Sequence, residues 1–93
     1  MSILVVEDEK KISDFIKKGL EEEGYSVSVA FDGFQGLKRA ETESFDLIIL
    51  DIMLPNLDGI SVCKELRKKD MQKPILMLTA KNSTKDKVAG LDS

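Results

Sequence analysis

The sequence predicts an α/β domain in which helices cover both faces of a parallel β-sheet. Short apolar runs that suit strands alternate with longer amphipathic segments, as expected of repeated βα units. Residues 47–50 are apolar without alternation, which is typical of a strand buried on both faces. A carboxylate, Asp51, follows at once, where open α/β sheets bind their ligands. Residues 45–59 are therefore the stretch around which we expect the domain to be organised.

Each element is predicted from its own pattern of apolar residues, turn residues and caps. Residues 25–30 alternate apolar and polar, which indicates a half-exposed edge strand. Asp32 with Gln35 three residues later resembles a capping box, and Gly24 is a typical helix stop. The predicted elements are strands over residues 3–6, 25–30, 47–50 and 74–78, and helices over residues 10–23, 33–43 and 59–69, with a fourth helix starting at residues 83–86.

We expect every helix to bury its large apolar side chains against the sheet, because they recur at helical spacing. The expected buried residues are Ile12, Phe15, Ile16 and Leu20 in the first helix, Phe34, Leu37 and Ala40 in the second, Ile60, Cys63 and Leu66 in the third, and Val88 and Leu91 in the fourth.

Composition excludes several classes of function. The 93 residues contain no histidine, which excludes histidine catalysis and histidine metal ligands, and the net charge of -3 argues against direct nucleic-acid binding. A single cysteine, Cys63, cannot form an internal disulfide and fits a reducing compartment. No apolar run approaches the length of a membrane span, and Met1 leads into the first strand without a basic leader. We therefore expect a cytoplasmic location.

Acidic and hydroxyl side chains follow three of the predicted strands. Glu7 and Asp8 end the first strand, Asp51 ends the third, and Thr79 ends the fourth. Carboxylates gathered at one sheet edge repel each other unless a hard cation neutralises them, and Mg²⁺ prefers such oxygen ligands. An alternative interpretation is that Asp8 and Asp58, which precede helices, are helix caps. Capping does not explain why acids recur at strand ends, so we favour the metal site.

Three blocks of the sequence together resemble the receiver domain of bacterial two-component response regulators, a flavodoxin-like fold. They are residues 6–9 (Val-Glu-Asp-Glu), residues 51–59 (Asp-Ile-Met-Leu-Pro-Asn-Leu-Asp-Gly) and residues 74–80 (Pro-Ile-Leu-Met-Leu-Thr-Ala). The resemblance implies a three-layer domain whose parallel strands run in the order 2-1-3-4.

The same resemblance implies phosphoryl transfer from a sensor histidine kinase, so that the one histidine required belongs to the partner. The roles it implies are Asp51 as phosphoacceptor, Glu7, Asp8, Asp51 and the Met53 carbonyl as Mg²⁺ ligands, and the Thr79 hydroxyl and Ala80 N–H as contacts of the phosphoryl group. Such a domain catalyses only its own phosphorylation and dephosphorylation and is not otherwise an enzyme.

The 93 residues do not cover the whole of the family pattern. Family members continue with a fifth strand and helix that carry a lysine and a switch aromatic, and Lys81 is a poor substitute for that lysine. We therefore interpret residues 1–93 as a receiver domain incomplete at its C-terminus. Truncation, a chimera boundary, a remainder that lies outside this stretch, and exchange of elements with a second copy would each account for this. Without that strand, we expect strand four to be an exposed edge that pairs with another chain in a homodimer.

Two other functions compete with a phosphoacceptor receiver domain. The first is a truncated or engineered fragment that self-associates and is no longer competent for phosphorylation. The second is a flavin-binding module, which is disfavoured because Glu7, Asp8 and Glu9 would repel the flavin phosphate. The kinase, the output, and whether a DNA-binding domain follows are not encoded in this stretch.

Overall fold

A computed structural model describes residues 1–69, 72–78 and 88–92 as a β-sheet with helices on both faces. In chain order the elements are β1 (Ser2–Val6), α1 (Lys10–Glu22), β2 (Ser26–Ala30), α2 (Gly33–Thr42), β3 (Leu47–Asp51), α3 (Gly59–Lys68), β4 (Ile75–Leu78) and β5 (Val88–Asp92). The predicted bounds of the first seven elements agree with the observed ones to within one or two residues. Within the described ranges, no helix is long and apolar enough to cross a bilayer.

The sheet order is β2-β1-β3-β4-β5, and the first four strands are parallel. The predicted parallel order 2-1-3-4 is thus confirmed. The strands are held in a register that pairs Val6 with both Ala30 and Leu50, and Asp51 with Leu78. The carboxyl ends of β1, β3 and β4 consequently meet at one edge of the sheet.

The end of the described chain differs from the prediction. Val88–Asp92 forms an antiparallel strand on β4, although we had expected a helix there with Val88 and Leu91 on its buried face. The backbone groups on that edge of β4 are bonded within the chain, so the predicted exposed edge, and with it the proposed route to a homodimer, is wrong. Two apolar residues three positions apart fit a helix. Hydrogen bonds to the unpaired backbone groups at the edge of β4 stabilise the chain more than so short an apolar pattern does. The predicted helix start at residues 83–86 lies outside the described residues.

Apolar side chains fill both faces of the sheet, as the uninterrupted apolar strands indicated. Neighbouring strand residues point to opposite faces, so Ile3 and Val5 lie on the α1 side while Leu4 and Val6 lie on the α2 and α3 side. The larger core, on the α2 and α3 side, contains Leu4, Val6, Ala30, Ala40, Phe45, Ile48, Leu50, Val62, Cys63, Leu66, Ile75 and Met77. Burial of this surface is the main force that holds the sheet edge and its acids in place.

Among the residues whose burial the structure describes, three that we expect to be buried are exposed: Phe15, Phe34 and Ile60, at 80%, 59% and 48% of their maximal accessibility. In α2 and α3 each exposed residue directly follows a buried glycine, Gly33 or Gly59. One residue turns a helix by about 100°, so a helix that faces the sheet with its glycine presents the next side chain to solvent. The prediction assigned the bulky apolar residues to the buried face, whereas in the structure the small glycines occupy it because the helices pack closely on the sheet.

Both helices on that side begin with the same Asp-Gly pair. The Asp32 carboxylate accepts a hydrogen bond from the Gln35 N–H at 2.8 Å, and the Asp58 carboxylate accepts one from the Ser61 N–H at 2.8 Å. These bonds satisfy backbone donors that the first helical turn leaves free. The predicted cap at Asp32 is therefore confirmed, and α3 starts in the same way.

Candidate acidic site

The strand register brings three of the predicted site residues together. Because Val6 pairs with Leu50, the residues that follow them, Glu7 and Asp51, are neighbours at the carboxyl edge of the sheet. One carboxylate oxygen from each of Glu7, Asp8 and Asp51 lies within 4.8 Å of the others. Glu7 and Asp51 are buried and Asp8 is exposed, so the cluster reaches solvent on the side of Asp8.

Backbone N–H groups hold the two buried carboxylates in position. Glu7 accepts a hydrogen bond from the Glu9 N–H at 3.0 Å, and Asp51 accepts one from the Met53 N–H at 3.1 Å. Each donor lies two residues after the acid that it binds. The loop that follows each strand therefore turns back toward the carboxylate at the end of that strand. The acids are oriented by the chain before any ligand arrives.

The two buried acids compete for a proton. Burial raises the pKa of Glu7 to about 7; the Glu9 hydrogen bond opposes this shift, and the negative charges of Asp51 and Asp8 add to it. Burial also raises the pKa of Asp51, while hydrogen bonds from the Met53 N–H and from Glu7 hold it lower. Below a pH of about 7, therefore, Glu7 holds a proton and donates a hydrogen bond to Asp51.

The alternative that the acids are only helix caps holds for one of them. Asp58 caps α3, and its hydrogen bonds with Ser61 lower the pKa of its carboxyl group. The N-cap position of α1 is occupied by Glu9 rather than Asp8, and its side chain makes no capping hydrogen bond. Capping thus accounts for Asp58 and leaves Glu7, Asp8 and Asp51 unexplained.

The loop between β3 and α3 is tightly folded next to Asp51. The Leu57 N–H donates to the Pro55 carbonyl at 2.8 Å, a γ-turn whose central residue, Asn56, has a φ of 69°. Asparagine tolerates this left-handed region better than most residues. The loop then returns to the strand, where the Gly59 N–H donates to the Ile52 carbonyl at 3.1 Å.

Two glycines matter more to this site than the sequence indicated. An added Cβ at Gly59 would overlap the Asp51 carbonyl oxygen, and one at Gly33 would overlap the Leu57 carbonyl oxygen. We had assigned both only as helix starts. The repeated Asp-Gly pair was the available signal, but which backbone atoms a glycine approaches depends on tertiary packing.

The remaining predicted site residues are placed less fully. Met53 lies in the loop beside Asp51, with its side chain 54% exposed. Thr79 and Ala80 lie outside the described residues. Leu78, which precedes them in the chain, pairs with Asp51, and its carbonyl accepts a hydrogen bond from the Ile52 N–H at 2.9 Å.

The family model of the response regulator receiver domain matches residues 3–93. Among curated proteins, the alkaline phosphatase synthesis transcriptional regulatory protein PhoP of Bacillus subtilis is 57% identical over 90 residues, which are 97% of this chain and 38% of PhoP. The chain thus spans well under half the length of this relative. Receiver domains of such regulators are signalling domains, and the acidic cluster fits their phosphoacceptor site.

Solved structures agree in both fold and sequence. The receiver domain of Francisella response regulator 1452 is 46% identical, with a TM-score of 0.83 over 89% of this chain and 69% of that one. Response regulator TrrA of Thermotoga maritima, solved in complex with Mg²⁺ and BeF, is 42% identical, with a TM-score of 0.82 over 87% of this chain and 70% of that one. The protein described here belongs to the response regulator receiver domain family.

Proposed function

We propose that Asp51 is the phosphoacceptor of this receiver domain and takes a phosphoryl group from a phosphohistidine of a sensor histidine kinase. The observation that carries the proposal is the meeting of Glu7, Asp8 and Asp51 within 4.8 Å at the carboxyl edge of the sheet. Three acids at this distance destabilise the metal-free site, which is tolerable where binding a cation is the function.

The donor set suits Mg²⁺. Oxygens that share one octahedral Mg²⁺ are about 3–4 Å apart, so the three carboxylates need only small adjustments to bind the same ion. The ligands we propose are the carboxylates of Glu7, Asp8 and Asp51 and the carbonyl of Met53. The exposed side at Asp8 leaves room for water and phosphate oxygens. When bound, the cation would neutralise charge on the acids and on the incoming phosphoryl group.

The chain's own contribution is a prepared nucleophile. The nucleophile is the carboxylate of Asp51, which needs no general base to activate it. The Met53 N–H binds Oδ1 and fixes its direction, which leaves Oδ2 as the oxygen that attacks phosphorus. In the transfer the new O–P bond forms as the P–N bond of the phosphohistidine breaks, and the histidine ring keeps the electron pair. We propose that the Thr79 hydroxyl and the Ala80 N–H contact the transferred group.

The proposal defines the partner and the setting. The donor is a sensor histidine kinase, and the only chemistry of the chain is its own phosphorylation and dephosphorylation. A cytoplasmic location follows, since the ATP that charges such a kinase is inside the cell.

Intact-mass analysis tests the proposal directly. The wild-type chain should gain the mass of one phosphoryl group when incubated with acetyl phosphate and Mg²⁺, and lose this gain when EDTA is present. Asp51→Asn should gain nothing, because an amide is not a nucleophile for this reaction. Asp46→Asn is the matched control: Asp46 lies just before β3, at the opposite edge of the sheet, where it binds the Ser2 N–H.

Two outcomes would count against the proposal. Equal labelling of Asp51→Asn and the wild type would place the phosphoryl group elsewhere. Absence of labelling in the wild type, with Mg²⁺ bound, would favour a chain that retains the metal site without the chemistry.

A further inference from the structure

We propose that Gly33, in the first turn of α2, is a positioning residue for the Asp51 site, although it belongs to neither strand that carries the acids. The inference rests on the proposed function and deepens it by adding a residue that acts through others. Gly33 is argued to fix the loop between β3 and α3 through the backbone of Leu57.

The first link is a contact between the start of α2 and the loop. A Cβ at Gly33 would overlap the Leu57 carbonyl oxygen and lie 2.6 Å from the carbonyl carbon. Leu57 is already constrained, because its N–H closes the γ-turn on the Pro55 carbonyl. The close approach between helix and loop therefore exists only because residue 33 has no side chain.

The second link is a similar contact of a glycine with a backbone carbonyl, at the start of α3. Leu57 is followed by Asp58, which caps α3, and by Gly59, whose Hα surface lies against the Asp51 carbonyl. A displacement of Leu57 would thus be passed along two peptide units to the backbone of the phosphoacceptor. The nearest atoms in this series of contacts are backbone atoms, joined at Gly33 by the Cβ of Leu57, and none of them can rotate aside as the far end of a side chain can.

Local propensity argues that these glycines are present for contact. Gly33 has a negative φ, so its backbone conformation does not require glycine. Gly36, in the next turn, also faces a near neighbour, but there an added Cβ would meet the side chain of Val6, 2.7 Å from its Cγ2. The same substitution at the two positions therefore pushes on a backbone in one case and on a side chain in the other.

This difference supplies the test. Gly33→Ala should displace the loop that carries Met53 and weaken Mg²⁺ binding about tenfold, as losing a group that orients metal ligands commonly does. Gly36→Ala should lose stability by overpacking but retain the wild-type affinity for Mg²⁺. The affinities would be measured calorimetrically with MgCl₂, and the stabilities by urea unfolding. Equal Mg²⁺ affinities in the two variants would overturn the inference.

A second measurement needs no variant and remains decisive if Gly33→Ala does not fold. Binding at one end of the series of contacts must stabilise the other end by the same coupling free energy. Amide exchange of Gln35 and Gly36, whose N–H groups bond within the first turn of α2, should slow when MgCl₂ is added to the wild-type chain. Exchange of Glu43, bonded to Arg39 at the far end of α2, should not change. Equal responses at both ends would overturn the inference.

The two proposals fail in different ways. A wild-type chain that binds no Mg²⁺ and accepts no phosphoryl group would refute the proposed function. A wild-type chain that does both, with Gly33→Ala behaving like Gly36→Ala, would refute the positioning role alone.

Discussion

Replacing Glu7 by glutamine should stabilise the metal-free protein at alkaline pH by on the order of 2–3 kcal/mol. Glutamine has the shape of protonated glutamate: its carbonyl can accept from the Glu9 N–H and its amide can donate to Asp51. It removes the buried charge without leaving either partner unbonded. Urea unfolding at pH 5 and pH 8, in the presence of EDTA, measures the difference.

The direction in which stability changes with pH follows from the pKa of Glu7 in the folded and unfolded states. Glu7 has a pKa of about 7 in the folded protein and an ordinary value of 4.5 when unfolded. Between those values the folded state binds more protons, so the free energy of unfolding falls as the pH rises from 4.5 to 7 and stays low above it. The stability that the wild type has at pH 5 is thus lost at pH 8, and Glu7→Gln should keep most of it.

Two controls make this result specific to the acidic site. Glu22→Gln, on the exposed end of α1, removes the same charge and should leave the pH profile of the wild type unchanged. MgCl₂ should restore the stability of the wild type at pH 8 but restore little in Glu7→Gln, which lacks one of the proposed ligands. A pH profile that is identical in wild type and Glu7→Gln would show that the buried acids do not share a proton.

Gly59→Ala should destabilise the protein by about 2–3 kcal/mol, at the upper end of the cost of overpacking. The added methyl group would overlap the Asp51 carbonyl oxygen and lie 2.9 Å from the Ile52 Cα. Either the end of β3 or the start of α3 must move, and both carry groups of the site. Thermal unfolding followed by far-UV circular dichroism should show a Tm lower by about 10 °C or more.

The matched control is the same substitution in the middle of a helix. An added Cβ at Gly19, in α1, meets no atom within 4 Å, so Gly19→Ala should be neutral or stabilising by up to about 1 kcal/mol. The two substitutions are thus expected to have opposite signs. A Gly59→Ala variant as stable as Gly19→Ala would mean that α3 does not press on the backbone of Asp51 at the end of β3.

The acids of the site were predictable because strand ends are readable from sequence. Uninterrupted apolar runs located β1 and β3, and carboxylates placed directly after parallel strands must meet at one sheet edge. The position of Asp58 before α3 was equally predictable. Whether such an acid caps the helix or binds a metal depends on which N–H groups its carboxylate reaches in the folded chain.

What the sequence did not reveal was the packing of helices on the sheet. Phe34 and Ile60 look like core residues by size and spacing, yet Gly33 and Gly59 face the neighbouring backbone. Apolar periodicity locates the buried face of a helix only to within one residue. A shift of one residue changes which side chain is buried. The strand Val88–Asp92 was missed for a related reason, since its pairing with β4 is a long-range contact that no local pattern encodes.

The most direct test of the central claim is to find the residue that carries the phosphoryl group. After incubation with acetyl phosphate and Mg²⁺, borohydride reduces an acyl phosphate and converts the aspartate beneath it to homoserine. Trypsin releases residues 40–64 as one peptide that contains Asp46, Asp51 and Asp58, so fragmentation of this peptide distinguishes the three. The proposed function predicts homoserine at position 51 alone. Homoserine at position 46 or 58, or an unmodified peptide from a phosphorylated chain, would contradict it.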